Sequence, residues 1–101
     1  MEAYILLNVE ANSVTWQVVE SVLKIEGVKT AHVVTGQFDA VVFAQFSELD
    51  FLGKIVERIH RVKGVLRTQT LLSVPSPVRV GNVVPSLAEE EKTGFNSYSD
   101  R

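Results

Sequence analysis

Residues Val33–Phe43 read VVTGQFDAVVF, in which two apolar runs meet at a polar corner, Gly36–Asp39. A glycine at such a corner permits the positive φ angles that tight strand-to-strand turns need. The stretch therefore predicts a β-hairpin with its turn at Gly36. The turn itself does not require the carboxylate of Asp39, which follows the glycine by three residues and, in this prediction, already lies on the second strand.

The hairpin joins two halves of an internal repeat, aligned without gaps by the shift that carries Gly27 onto Gly64. The same shift places the apolar run Ala3–Glu10 on Ala40–Ser47. Two charge pairs with helix spacing also align, Glu20 and Lys24 with Glu57 and Arg61. Self-similarity of this kind indicates repeated supersecondary units. Each half has the pattern of a strand, a helix and a second strand.

Residues at the ends of the predicted helices fit this order. Asn12 or Ser13 is expected to cap the first helix, and Ser47–Asp50 has the pattern of a cap with an acid in the first turn. Gly27 and Gly64 each follow a helix, where a left-handed residue is favoured.

The resulting order, βαββαβ, is that of an α+β ferredoxin-like fold with a four-stranded antiparallel sheet. Continuous apolar runs suit the central strands, whereas the mixed second strands, Val28–Thr35 and Val65–Val74, belong at the sheet edges. Right-handed crossovers place both helices on one face.

The opposite face of the sheet has no helix to cover it. Side chains alternate between the faces, and neither set is polar enough to lie against water. A second copy of the chain is the simplest cover, and the set that carries two amides is the one expected to face it. The predicted dimer interface comprises Tyr4, Leu6, Asn8, Val41, Phe43 and Gln45.

The composition excludes several classes of protein. Of 101 residues, 46% are hydrophobic, the mean hydropathy is +0.15 and the net charge is −2. Without cysteine, a membrane-length apolar segment or a signal peptide, the chain is expected to be cytoplasmic, with no disulfide and no metal site. The negative net charge gives no sign of direct nucleic-acid binding.

The periodic pattern ends at Val74, which divides the chain into a globular domain, 1–74, and a C-terminal extension, 75–101. All three prolines lie in this extension. Two interpretations remain open for it: a solvated tail, or an extended arm that contributes to assembly.

Nothing in the sequence has the pattern of a catalytic site. His32 and His60 have no partner at a readable spacing, and the Gly36 turn joins two strands, so it offers no helix N-terminus to a phosphate. RNA-recognition domains share the topology, but DAVVFAQF at Asp39–Phe46 lacks their basic and aromatic pattern. No cofactor is predicted.

Asp39 has two possible roles. Short acids hydrogen-bond to turn backbone, which is a structural explanation. Alternatively, free amides from Gly36 to Phe38 bind a carboxylate while Asp39 pairs with an ammonium, an arrangement that suits a free amino acid. The hydroxyls of Thr35, Thr68 and Thr70 are candidate neighbours of this site.

The segment Val28–Val74 resembles the effector-binding domain of the Lrp/AsnC transcription regulators, also called the RAM domain. The most specific parts of the resemblance are VTGQFD at Val34–Asp39 and GVLRTQT at Gly64–Thr70. The resemblance implies dimers built from facing sheets, rings of such dimers, and amino-acid binding between protomers near the turn. Its ligand-binding residues would be Thr35, Gly36, Gln37, Phe38 and Asp39, with Thr68 and Thr70 nearby.

Regulators of this family carry a helix-turn-helix before this domain, whereas the present sequence starts at the first strand. The resemblance therefore implies a stand-alone effector domain that acts through partners, for example in mixed rings with full-length relatives. Two alternatives stay open: a structural or interaction subunit that binds no small molecule, and a dimeric α/β-barrel enzyme.

Overall fold

The computed structural model describes residues 1–75, so nearly all of the predicted C-terminal extension lies outside the described residues. The elements follow the predicted βαββαβ order. They are β1 (Glu2–Val9), α1 (Thr15–Val22), β2 (Val28–Val33), β3 (Ala40–Gln45), α2 (Leu49–His60) and β4 (Val65–Leu72).

The four strands form one antiparallel sheet in the order β2-β3-β1-β4. The two apolar strands β1 and β3 are therefore central and the two mixed strands lie at the edges, as predicted. Leu7 pairs with Ala40 on one side and with Thr68 on the other, which fixes the register near the β2–β3 loop. The fold is the ferredoxin-like α+β arrangement that the repeat indicated.

Both helices pack on one face of the sheet and form a single core with it. Alternate residues of the central strands point into this core, and each helix adds one apolar face. The largest fully buried side chains are Ile5, Leu7, Val22, Val42, Ile55 and Ile59. Burying each such side chain contributes roughly 1.5–3 kcal/mol, and this burial holds the helices in place.

Gly27 and Gly64 follow the two helices with the same backbone conformation, φ +99°. This angle lies in the left-handed region that favours glycine, as predicted. A Cβ atom at Gly27 would come within 2.6 Å of Ile55 Cδ1, and one at Gly64 within 2.8 Å of Val18 Cγ2. At both positions the backbone thus approaches a core side chain of a helix directly.

The predicted helix caps are wrong in detail. Helix α1 begins at Thr15 with Val14 as its N-cap, and helix α2 has Glu48 as its N-cap; neither cap makes a side-chain hydrogen bond. Asn12 and Ser13 lie before the first cap, because the packing of Val18 and Val22 decides where α1 starts. The acid expected in the first turn of α2 is present as Asp50.

Both edge strands are shorter than predicted. Strand β2 ends at Val33 rather than at Thr35, and β4 ends at Leu72 rather than at Val74. Each edge strand ends where its hydrogen-bonding partner ends, which the local pattern of apolar residues does not reveal.

Candidate functional site

The β2–β3 connection is a six-residue loop, Val34–Asp39, rather than a tight turn beginning at Gly36. The Val34 N–H donates to the Asp39 carbonyl oxygen at 2.9 Å and closes the loop. Gly36 adopts φ +121°, with no atom within 4 Å of a Cβ built on it. The glycine is thus required by the backbone angle and not by crowding.

Asp39 lies immediately before β3 and is tied to β1 twice. Its N–H donates to the Leu7 carbonyl oxygen at 2.8 Å, and its Oδ2 accepts the N–H of Val9 at 2.7 Å. Strand β1 extends beyond the start of β3, so no backbone carbonyl of β3 is available to Val9. The carboxylate satisfies this half-buried donor, which explains part of why an acid follows the turn.

A second polar side chain of β1 holds the loop. The Asn8 side-chain amide donates through Nδ2 to the Gln37 carbonyl oxygen at 2.8 Å. Asn8 was predicted only as an interface residue, and its contact with the loop was missed. The available signal was an amide within an otherwise apolar strand, since such a group needs a hydrogen-bonding partner.

The loop retains groups that can bind a ligand. Within residues 1–75, the amides of Gly36, Gln37 and Phe38 donate no hydrogen bond to the protein, and Asp39 Oδ1 accepts none. Successive free amides attract an anion, whereas a carboxylate oxygen attracts a cation. These two features match the carboxylate and the ammonium of an amino acid.

Arg67 adds a positive charge near the same end of the sheet. It pairs across the strands with Asn8, so the two side chains share the helix-free face. The sequence analysis did not single out this residue, because only the register of β1 against β4 places it beside Asn8.

The structure brings only some of the predicted binding residues together. Thr35 lies in the loop and is exposed. Thr68 and Thr70 lie on β4, opposite Leu7 and Ile5, and so on the helix-covered face. Strand β1 separates them from β3, a distance of roughly 10 Å at ordinary strand spacing. Thr68 instead contacts His60, with 2.6 Å between Oγ1 and Nε2.

Within residues 1–75 the loop is open to solvent, since Thr35, Gly36 and Gln37 are all exposed. Small-molecule sites normally enclose most of the ligand surface. A ligand at this loop would therefore need a surface beyond residues 1–75 to cover it.

The predicted interface residues lie together on the helix-free face of the sheet. The rings of Tyr4 and Phe43 are 5.2 Å apart, and Tyr4 remains 44% exposed. At the far end of this face, Gln45 Nε2 donates to Glu2 Oε2 at 3.3 Å. That this surface joins two copies of the chain stays a prediction.

The described residues contain neither a cluster of three metal-binding side chains nor a buried polar or charged residue. Among them, no helix is both long and apolar enough to cross a membrane. His32 lies exposed beside a shallow hollow on the helix-free face, with Tyr4 and Phe43 in its lining.

A family model for the Lrp/AsnC ligand binding domain matches residues 2–83. The chain belongs to this family. The match confirms the resemblance that VTGQFD and GVLRTQT indicated, and it includes the whole βαββαβ unit. The candidate site is therefore the β2–β3 loop of an Lrp/AsnC ligand-binding domain.

Relatives of this Lrp/AsnC domain include an uncharacterised helix-turn-helix-type transcriptional regulator of Pyrococcus furiosus. It is 34% identical over 74 residues, which are 70% of the present chain and 49% of that protein. A similar regulator of Pyrococcus abyssi is 31% identical with the same coverage. The chain thus spans about half the length of the curated relatives it matches.

Solved structures show the same fold. A Thermus thermophilus protein is 26% identical with a TM-score of 0.70, and the alignment covers 77% of this chain and 98% of that one. A Neisseria meningitidis transcriptional regulator in complex with L-methionine is 18% identical with a TM-score of 0.64, over 87% of this chain and 58% of that one. At that identity the second likeness concerns the fold alone.

Proposed function

We propose that this domain senses a free amino acid, which binds at the Thr35–Asp39 loop between protomers. The carrying observation is the pairing in one loop of free amides at Gly36, Gln37 and Phe38 with the free Oδ1 of Asp39. In this arrangement the amides bind the ligand carboxylate and Asp39 binds its ammonium. The domain thereby acts as the effector-binding part of a transcription-regulating assembly.

Pre-organisation of the loop supports this proposal. Asp39 is held by Leu7 and Val9, and the loop backbone is held by Asn8, so the binding groups need little ordering when a ligand arrives. Binding costs less free energy when the groups are already ordered. The L-methionine complex of the Neisseria meningitidis regulator supports an amino acid as the ligand class.

The exposure of the loop supports a site shared between chains. A second protomer that covers the loop would exclude water from the charged ends of the ligand, which strengthens both interactions. A ligand held in such a contact favours the assembled state by mass action. Binding and assembly are then coupled, and each raises the affinity of the other.

The partners proposed for this module are other copies of the chain, in dimers and rings, and full-length Lrp/AsnC regulators in mixed assemblies. In such an assembly, DNA contact belongs to the relative and ligand sensing to this domain. The module itself needs no catalytic group or cofactor for this role.

The test is thermal unfolding of the full chain with each of the twenty amino acids at millimolar concentration. A ligand present at about 100 times its dissociation constant should add about 2.7 kcal/mol to the free energy of unfolding. We expect stabilisation by one or a few amino acids and its loss in Asp39→Asn, which keeps the oxygen that Val9 needs but removes the charge. Absence of stabilisation by all twenty would contradict the proposal.

A second candidate function is an interaction subunit that binds no small molecule. The hydrogen bond from Val9 favours it, because that bond gives Asp39 a structural role without any ligand. A chain that assembles into a ring but is stabilised by no amino acid, in the experiment above, would support this candidate instead.

A further inference from the structure

The two halves of the repeat differ in how they cover the glycine that follows each helix. Gly27, which follows α1, is covered by two side chains of α2, those of Phe51 and Ile55. A Cβ atom at Gly27 would come within 3.0 Å of Phe51 Cε2. Phe51 is half-buried and packs against the core. An aromatic ring therefore closes the space beside the N-terminal turn of α2.

The corresponding space beside Gly64, which follows α2 and lies against α1, is open. The repeat places Val14 at the position of Phe51, and Val14 is 52% exposed. The atoms nearest to a Cβ built at Gly64 belong to the smaller side chains of Ser13 and Val18. The result is a groove of about 370 Å³ beside α1, lined by Asn12, Ser13, Val14, Gln17, Val18, Ser21 and Lys63.

The same helix carries a large aromatic side chain that residues 1–75 leave mostly exposed. Trp16 is the single tryptophan of the chain, and it is 70% exposed. At about 100° per residue it points roughly 100–160° away from the groove-lining Gln17, Val18 and Ser21. Its indole therefore cannot fill the groove of its own chain.

We propose that Trp16 of one chain docks into this groove of a second copy of the chain. The groove lacks the aromatic ring that Phe51 supplies in the other half of the repeat. Helix α1 presents an exposed aromatic ring, that of Trp16, on its other side. Tryptophan is favoured at the centres of protein contacts, because it buries a large apolar area and offers an N–H to polar groups such as Ser21.

The charges around the two surfaces are complementary. Glu20 lies one turn after Trp16 on the same exposed side of α1, and Lys63 lines the groove. Neither forms an ion pair within the described part of the chain. When Trp16 enters the groove of a second copy, the carboxylate of Glu20 approaches Lys63 of that copy. This attraction favours the orientation of the two chains that brings the opposite charges together over the orientation that separates them.

Because the ring and the groove lie on different sides of α1, the contact is head-to-tail. Contacts of this type form closed rings or open chains, whereas contacts between identical faces form two-fold dimers. The contact is therefore separate from the predicted sheet-face dimer, and each chain both donates one indole and accepts another. It does not depend on whether the Thr35–Asp39 loop binds an amino acid.

The experiment uses the fluorescence of the single tryptophan in the full chain, followed as the protein is diluted. In the assembled protein we expect blue-shifted emission that is protected from acrylamide quenching, and on dilution the emission of an exposed indole. Trp16→Ala, which removes a side chain that is mostly outside the fold, should weaken the larger assembly at least tenfold in sedimentation while leaving dimers intact.

A substitution taken from the repeat tests the groove. Val14→Phe introduces the residue type that closes the equivalent space in the second half, so it should fill the groove and leave Trp16 exposed at every concentration. Leu49→Phe is the matched control, since Leu49 is similarly exposed, at 53%, and lies at the start of the other helix. This control should assemble as the unchanged protein does.

Three results would overturn the proposal. The first is an exposed indole at all protein concentrations. The second is an indole that stays shielded in dilute samples where sedimentation finds no larger assembly, which would mean that this contact between copies does not cover it. The third is a shielded indole in assembled Val14→Phe, which would exclude this groove as the acceptor.

Discussion

The carboxylate of Asp39 combines two tasks on its two oxygen atoms. Oδ2 accepts the N–H of Val9 at 2.7 Å, at the point where β1 extends past the start of β3. Oδ1 stays free for a cationic group in our proposal. A structural and a binding role therefore do not compete at this residue, and a variant that removes both oxygens cannot distinguish them.

At this scale we predict that Asp39→Ala lowers the free energy of unfolding by about 1–3 kcal/mol, because the half-buried Val9 N–H loses its acceptor. Asp39→Asn should lower the free energy of unfolding by less, since its side-chain oxygen can still accept the hydrogen bond from Val9. Urea denaturation of both variants without ligand measures the difference. Equal stability of Asp39→Ala and the unchanged protein would show that the bond to Val9 contributes little.

The elements follow the repeat closely, but their ends do not. Gly27 and Gly64 adopt the same φ of +99° in both halves, so the link from helix to strand is repeated along with the apolar pattern. The predicted caps at Asn12 or Ser13 are absent, because α1 starts at Thr15, where its apolar face meets the sheet. A cap is a contact of about 1 kcal/mol, and packing of the core overrides it.

At the scale of elements we predict that Gly27→Ala destabilises the fold more than Gly36→Ala. Both changes force a side chain into the left-handed region, at a cost of roughly 1–2 kcal/mol. At Gly27 the added methyl group also lies 2.6 Å from Ile55 Cδ1, which adds about 1–3 kcal/mol of overpacking. Gly36 has open space, so it supplies the comparison.

Thermal unfolding monitored by circular dichroism measures the two changes side by side. The opposite order of stability, with Gly36→Ala the less stable variant, would mean that the loop conformation matters more to the fold than the packing of α2 on Gly27.

For the whole molecule, the helix-free face of the sheet is an apolar surface that no other part of residues 1–75 covers. Tyr4, Leu6, Val41 and Phe43 form an apolar stripe across the two central strands, with Leu71 extending it onto β4. A stripe of this kind on a small domain marks an interaction surface. Facing sheets would bury it, and the open loop at one end would then lie near the rim of the dimer.

At this scale we predict that the chain forms a dimer through this face and that Phe43→Asp makes it monomeric, because a buried, unpaired carboxylate at the centre of the contact is strongly unfavourable. Sedimentation velocity measures the effect. Leu49→Asp is the matched control: it introduces the same charge at an exposed apolar position away from the sheet and should leave the dimer intact. A dimeric Phe43→Asp variant would contradict the predicted interface.

The sequence by itself determined the βαββαβ order, the central position of β1 and β3, the two left-handed glycines and the family. These features depend on hydrophobic periodicity, on glycine at positive φ and on local motifs, which neighbouring residues along the chain express directly. The β2–β3 loop was also found this way, because VTGQFD is contiguous.

Only the tertiary structure decided which residues surround that loop. Asn8 contacts the loop directly and Arg67 lies across from Asn8 on the same helix-free face, whereas Thr68 and Thr70 lie on the helix-covered face of β4. The open groove beside α1 likewise became visible only through contacts between Gly64 and α1. Long-range contacts set these positions, and a shift of one residue in strand register would move the strand side chains to the opposite face of the sheet.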